Sequence, residues 1–119
     1  MHTFVGTDTE QVRQLVKAPF QAYLKQTLHL LSHLTQSAGL AFDPAAFSAE
    51  DEAALLDFAF ARYFNERALM GDLRDARFRV RQLMDAGVQE VACLVDFGLP
   101  HATVMQGLHT LAQLVKDCA

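Results

Sequence analysis

Basic residues are scarce in this sequence, cysteines scarcer, and long apolar runs absent. Ten Lys and Arg stand against fourteen Asp and Glu, for a formal charge of −4 over 119 residues. A surface whose main work is holding phosphates needs clustered cations, so nucleic-acid binding is disfavoured at the outset. Only two cysteines are present, Cys93 in an apolar run and Cys118 near the end, which excludes a disulfide framework. No run of about eighteen apolar residues exists to span a bilayer. The opening MHTFVGTDTEQ has no basic segment and no apolar stretch of signal-peptide type, so the cytoplasm is the expected compartment. What is there in quantity is core material: 51% of the residues are hydrophobic. The length is that of one domain.

Residues 3–6, TFVG, are β-prone and bounded by glycine. Thr7 or Asp8 then caps a short helix to Lys17, and Pro19 starts another at its first turn, where a missing N–H costs nothing. Phe20, Leu24, Leu28, Leu31 and Ala38 recur at spacings of three, four and seven, an amphipathic stripe closed by Gly39. A loop surrounds Asp43-Pro44. Ser48 and Asp51 resemble a capping box and open a helix to about Met70. Its Leu55, Leu56, Phe58, Phe60, Tyr63 and Phe64 point almost all round, which predicts burial on more than one side. Gly71-Asp72 breaks and recaps the chain for a helix over 73–86, closed by Gly87. After Pro100 a last helix carries Val104, Leu108, Leu111 and Val115. The chain divides naturally into 1–18, a helical insertion over 19–70, and 71–119.

The stretch EVACLVDFGLP, residues 90–100, decides the fold class. As a helix it is short and lacks a 3.6-residue period. As half of a helix-turn-helix it would present His101, Thr103 and Gln106 but no Arg or Lys, which reads DNA poorly. As a strand, the unbroken run Val91–Val95 fits a parallel strand covered on both faces and lying between helices. The strand is the expectation. By the same logic Cys93 packs in a core, where burial raises a thiol pKa and blocks access. Asp96, a carboxylate at a strand end, either contacts a ligand or caps the turn before Pro100, and both remain open.

GVQEVACLVDFGLP resembles the last-strand motif of luciferase-like flavin-dependent monooxygenases, in particular the subgroup of peptide- and polyketide-assembly enzymes. The pattern there is roughly Gly-Val-Asp-Glu-Ile-Ala-Cys-Leu-Ile-Asp-Phe-Gly-Val. Gly87, Val88, Glu90, Ala92, Cys93, Leu94, Asp96, Phe97 and Gly98 match it. HTFVGTDTEQVRQLVKAPFQAYLKQT is similar to the family's preceding strand and helices, and LLDFAFARYFNERALMGD to its long helix. One departure is Leu69-Met70-Gly71-Asp72-Leu73, where the family commonly reads Leu-Phe-Gly-Thr-Pro.

The resemblance implies an α/β ancestry with mostly helical content. The chain would be the C-terminal part of a (β/α)8 barrel with a helical insertion, two short strands at about 2–6 and 90–96, and five or so helices. Such barrels take about 250 residues, so most of the wall and of the flavin surface would lie elsewhere. The implied cofactor is FMN, whose hydroperoxide oxygenates a substrate. The candidate cofactor-binding positions are the strand ends Gly6, Thr7, Asp96 and Gly98; no catalytic or metal-ligating residue is assignable. The expected partner is the missing barrel segment, with the chain itself non-catalytic. The alternatives are a stand-alone helical homo-oligomeric module and, more remotely, a helix-turn-helix DNA binder.

Two further constellations carry residue types suited to a ligand. His29 and His33 sit one turn apart, but no third ligand lies near in sequence, and they share the polar face with Lys25 and Gln36. Arg74, Arg77, Arg79 and Arg81 follow a helix start and could hold a phosphate. Asp75, four residues before Arg79, instead favours an ion-paired solvated face.

Overall fold

The computed structural model describes residues 1–37, 39 and 46–118, and their side chains except those of residues 29–36. The expected loop around Asp43-Pro44 and the His29/His33 pair lie outside what is described. Strand β1 spans Thr3–Gly6, helix α1 Thr9–Ser37, α2 Ala49–Arg62, strand β2 Leu69–Asp72, α3 Leu73–Asp85 and α4 His101–Cys118. A π turn over Tyr63–Arg67 continues α2. The described residues are thus mostly helical, with two short strands.

β1 and β2 pair in parallel, Thr3 opposite Leu69 and Gly6 opposite Asp72. On the other edge of β1, Leu94 forms a single parallel bridge with His2. The Thr3 N–H donates to the Leu94 carbonyl at 2.9 Å, and the Leu94 N–H to the Met1 carbonyl at 2.8 Å. β1 is therefore central, between β2 and the Leu94 segment.

Side chains alternate across this small sheet as the pleat requires. Phe4 and Met70 enter a core with Val12, Val16 and Phe20 of α1, Phe60 of α2, Phe64 of the π turn, and Phe97 and Leu99. Val5 and Leu69 face the other way, against Ala76 of α3 and Leu114 of α4. Helices thus cover both faces of the sheet, α1 and α2 on one side and α3 on the other, with α4 reaching both through Val104 and Leu114. A closed barrel carries its helices on the outer face alone.

Four expectations are corrected. The second strand is β2 at 69–72, where a break and a cap were expected; LMGD has neither alternation nor β-branched residues to announce it. Residues 90–96 form no strand beyond the Leu94 bridge. Val91 and Leu94 are 36% and 40% exposed, and Cys93 is exposed as well. The cause lies just downstream. Phe97 and Leu99 are both buried, with Gly98 at φ +102° between them, so the chain leaves the edge of β1 to sink these two side chains beneath α1.

The helix count is four among the described residues, not five or so, because α1 runs unbroken through Pro19. A helix-interior proline costs about 3 kcal/mol. Val12, Val16 and Phe20 form a buried stripe that spans it, each worth about 1.5–3 kcal/mol, and together they outweigh that cost. Finally, α2 is not buried all round. Phe60 is buried, but Phe58 is 66% exposed. No helix among the described residues is long and apolar enough to cross a membrane.

Candidate functional site

The carboxyl end of β1 opens into a cavity of about 420 Å³ between the first turns of α1 and the middle of α4. Gly6 and Thr7 form its floor, with Gln11 on one wall and Gln106, His109 and Thr110 on the other. Close approach dictates both glycines nearby. A Cβ on Gly6 would stand 2.6 Å from Val12 Cγ2, and one on Gly107 would stand 2.8 Å from the Phe4 ring. The first lets α1 turn back over β1; the second lets α4 lie on it.

Asp8 holds the start of α1, its Oδ1 accepting from the Gln11 N–H at 2.8 Å. His109 Nδ1 donates to the Met105 carbonyl at 2.7 Å. The Thr110 hydroxyl donates to the Gln106 carbonyl at 3.3 Å. These polar groups share the cavity with Phe4, Val5, Val12 and Leu15, and Asp8 is the one Asp, Glu, Lys or Arg in its lining.

Asp96 and Gly98 are not part of this lining. The Gly98 N–H donates to Asp96 Oδ1 at 3.3 Å, a side-chain turn, and Gly98 rests against Pro19 of α1. Asp96 is exposed and caps the turn before Pro100. The four candidate positions thus form one pair in a cavity and one pair in a turn.

Neither pair fits FMN by itself. A flavin phosphate calls for cationic partners or several free N–H donors. The cavity at Gly6 and Thr7 is lined by no Lys or Arg and presents the Asp8 carboxylate.

Sequence reasoning missed two arrangements. Thr9 joins the starts of α1 and α3: its hydroxyl donates to Asp75 Oδ2 at 2.6 Å and accepts from the Asp72 N–H at 3.0 Å. Asp72 in turn caps α3, accepting from the Asp75 N–H at 2.9 Å. Asp75 is therefore committed to Thr9 rather than to Arg79. Only the Asp72 cap had a local signal.

The second arrangement surrounds His2. Its ring meets Phe20 and Tyr23 at 4.9 Å between centroids, Phe97 at 5.9 Å and Tyr63 at 6.1 Å, all close to edge-on. Its Nε2 is buried with no hydrogen-bond partner. Burial, and then the neighbouring terminal ammonium, hold the imidazole pKa below its usual 6.5. A histidine at the head of a strand gives no warning of such a place, because the four rings around it come from three distant parts of the chain.

Among the described residues no group of three or more His, Cys, Asp or Glu could hold a metal ion. No family model matches the chain, and no curated protein matches it.

Proposed function

We propose that the chain is the C-terminal segment of a luciferase-like FMN-dependent monooxygenase, non-catalytic by itself and active only against an upstream barrel segment. The observation that carries this reading is the parallel bridge of His2 with Leu94. It sets side by side the two stretches, 2–6 and 90–96, that resemble the family's last two strands. Each of β1, β2 and the Leu94 segment is followed by a helix, the order of a β/α wall.

In this reading β2 occupies the edge of β1 that an upstream strand would take. The helices over the inner face must then give way on assembly. The flavin would be held largely by the upstream segment, which must supply the cations that Gly6 and Thr7 lack. In the assembled enzyme the flavin carries the oxygen chemistry, and this chain's part is to close and shield the site.

A second reading is a homo-oligomeric interaction module. Phe58, Phe78, Met84 and Val115 are each more than half exposed, which favours association of some kind.

Size exclusion with light scattering, on the chain alone and with an upstream barrel polypeptide of such a monooxygenase plus FMN, separates the two. The first reading expects a complex with the upstream polypeptide and quenched flavin fluorescence. A discrete homo-oligomer indifferent to both additions would sink it and support the second.

A further inference from the structure

We infer that Arg13 and Arg79 form an oxyanion site, of phosphate type, in a cleft between α1, the π turn and α3. The cleft encloses about 280 Å³ and is lined by Thr9, Arg13, Phe64, Asn65, Asp75 and Arg79, among others. Arg79 belongs to the arginine run in α3, but it parts company with its neighbours. Arg77 pairs with Asp117 of α4, and Arg74 Nε stands 3.6 Å from Asp75 Oδ1. Arg79 turns to the π turn, where its Nη2 donates to the Asn65 carbonyl, and its Nη1 donates to Gln82 Oε1 at 3.0 Å.

Arg13 arrives at the same residue from α1. Its Nη2 donates to Asn65 Oδ1 at 2.8 Å, while its guanidinium carbon lies 4.2 Å from the centre of the Phe64 ring. Two guanidinium groups separated by many residues in sequence thus converge on one asparagine. Both are held in place, by ring stacking or by side-chain bonds, before any ligand arrives. Preorganised forks of this kind recognise phosphate and carboxylate oxygens.

The charges around the cleft decide the sign of its occupant. No described carboxylate forms an ion pair with Arg79. Arg13 has only Glu10, at 3.7 Å. Asp75, the acid in the lining, has one oxygen accepting from Thr9 and the other facing Arg74. Of the charged residues that line the cleft, Arg13 and Arg79 stand against Asp75 alone, which leaves one positive charge in excess. The π turn presents Asn65 between the arginines because its extra residue lengthens the loop, with the Ala68 N–H reaching back to the Tyr63 carbonyl at 2.8 Å. Such turns are frequent at functional sites.

The site needs no partner chain, so it stands or falls separately from the monooxygenase reading. The test is an amide NMR titration of the whole chain with inorganic phosphate at low ionic strength, repeated with succinate. Saturable shifts at Thr9, Arg13, Asn65 and Arg79 are expected. R13Q and R79Q should each weaken binding about tenfold or more, the worth of a charge-assisted bond, while R77Q leaves it unchanged. Phosphate binding without succinate binding identifies a phosphoryl ligand, and binding of both identifies a general oxyanion site. Either result supports the site. If R79Q fails to fold, R79K replaces it and should weaken binding through loss of the planar fork. Absence of saturable shifts through the tens-of-millimolar range, or equal loss in R77Q, overturns the inference.

Discussion

His2 places a titratable ring where a phenylalanine would serve the packing equally well. The folded chain prefers the neutral imidazole, because burial and the terminal ammonium lower its pKa from 6.5. The unfolded chain therefore binds the proton more readily, and stability falls as pH drops below 6.5 toward the folded value; above 6.5 this contribution is fully present. Tyr23 and Tyr63 are the other titratable side chains against the ring. Urea midpoints of the wild type should decline from pH 7.5 to 5.5 in part through this group, and His2→Phe should flatten that decline. An unaltered slope in the variant would show that His2 protonates freely in the folded state. The asparagine between the two arginines and the hydroxyl of Thr9 belong to the same scale. Each acts by its position against groups from elsewhere in the chain, which is why none had a signature in the sequence.

Among the elements, the legible ones were those whose ends are written locally. Ser48 and Asp51 make a reciprocal capping box, as their spacing suggests. Asp72 caps α3, Gly87 follows its end with φ +84°, and α4 begins directly after Pro100. The misread elements were those settled by tertiary packing. Pro19 reads locally as a helix start, yet Val12, Val16 and Phe20 carry the helix through it. β2 exists because β1 needs a partner on that edge, not because LMGD favours a strand. The apolar run 91–95 reads as a buried strand, but Phe97 and Leu99 take the buried places. Of the candidate site, the strand-end positions Gly6 and Thr7 were named from the sequence, whereas the wall that α4 adds was not, since α4 meets β1 through Gly107 against Phe4 and Leu114 against Val5. Pro19→Ala provides a check on this account of α1. It restores the missing N–H and keeps the Cβ on which Gly98 rests, so it should stabilise the chain by about 1–3 kcal/mol in urea unfolding. A loss of stability would mean that a bend at Pro19 is required for packing.

For the whole molecule, the radius of gyration is 16.2 Å, with extents of 48 × 31 × 21 Å. A chain of this length packed as an ordinary globule would have a radius of about 13.5 Å. The excess follows from α1, whose 29 residues make a rod of about 43 Å against a sheet of two short strands. So small a sheet cannot cover every apolar side chain, and Met84, Val88, Val91 and Val115 remain exposed near the ends of α3 and α4. Met84→Lys with Val115→Lys should therefore shift the chain toward lower mass in light scattering, with the melting temperature changed little because neither side chain is buried. An unchanged mass distribution would place any association surface elsewhere, with Phe58 on α2 the next candidate.

The central position of β1 also has a consequence for how the chain is made. β1 leaves the ribosome before either of its neighbours, which lie at residues 69–72 and at Leu94. At roughly 5–20 residues per second, both of its edges stay open for several seconds while α1 and α2 emerge. Val5 and Leu69 gain their cover from α4 only when the last helix is complete. A nascent chain stalled before residue 69 therefore carries a bare strand followed by helices whose apolar faces lack their cover, a ready binding site for a holdase chaperone.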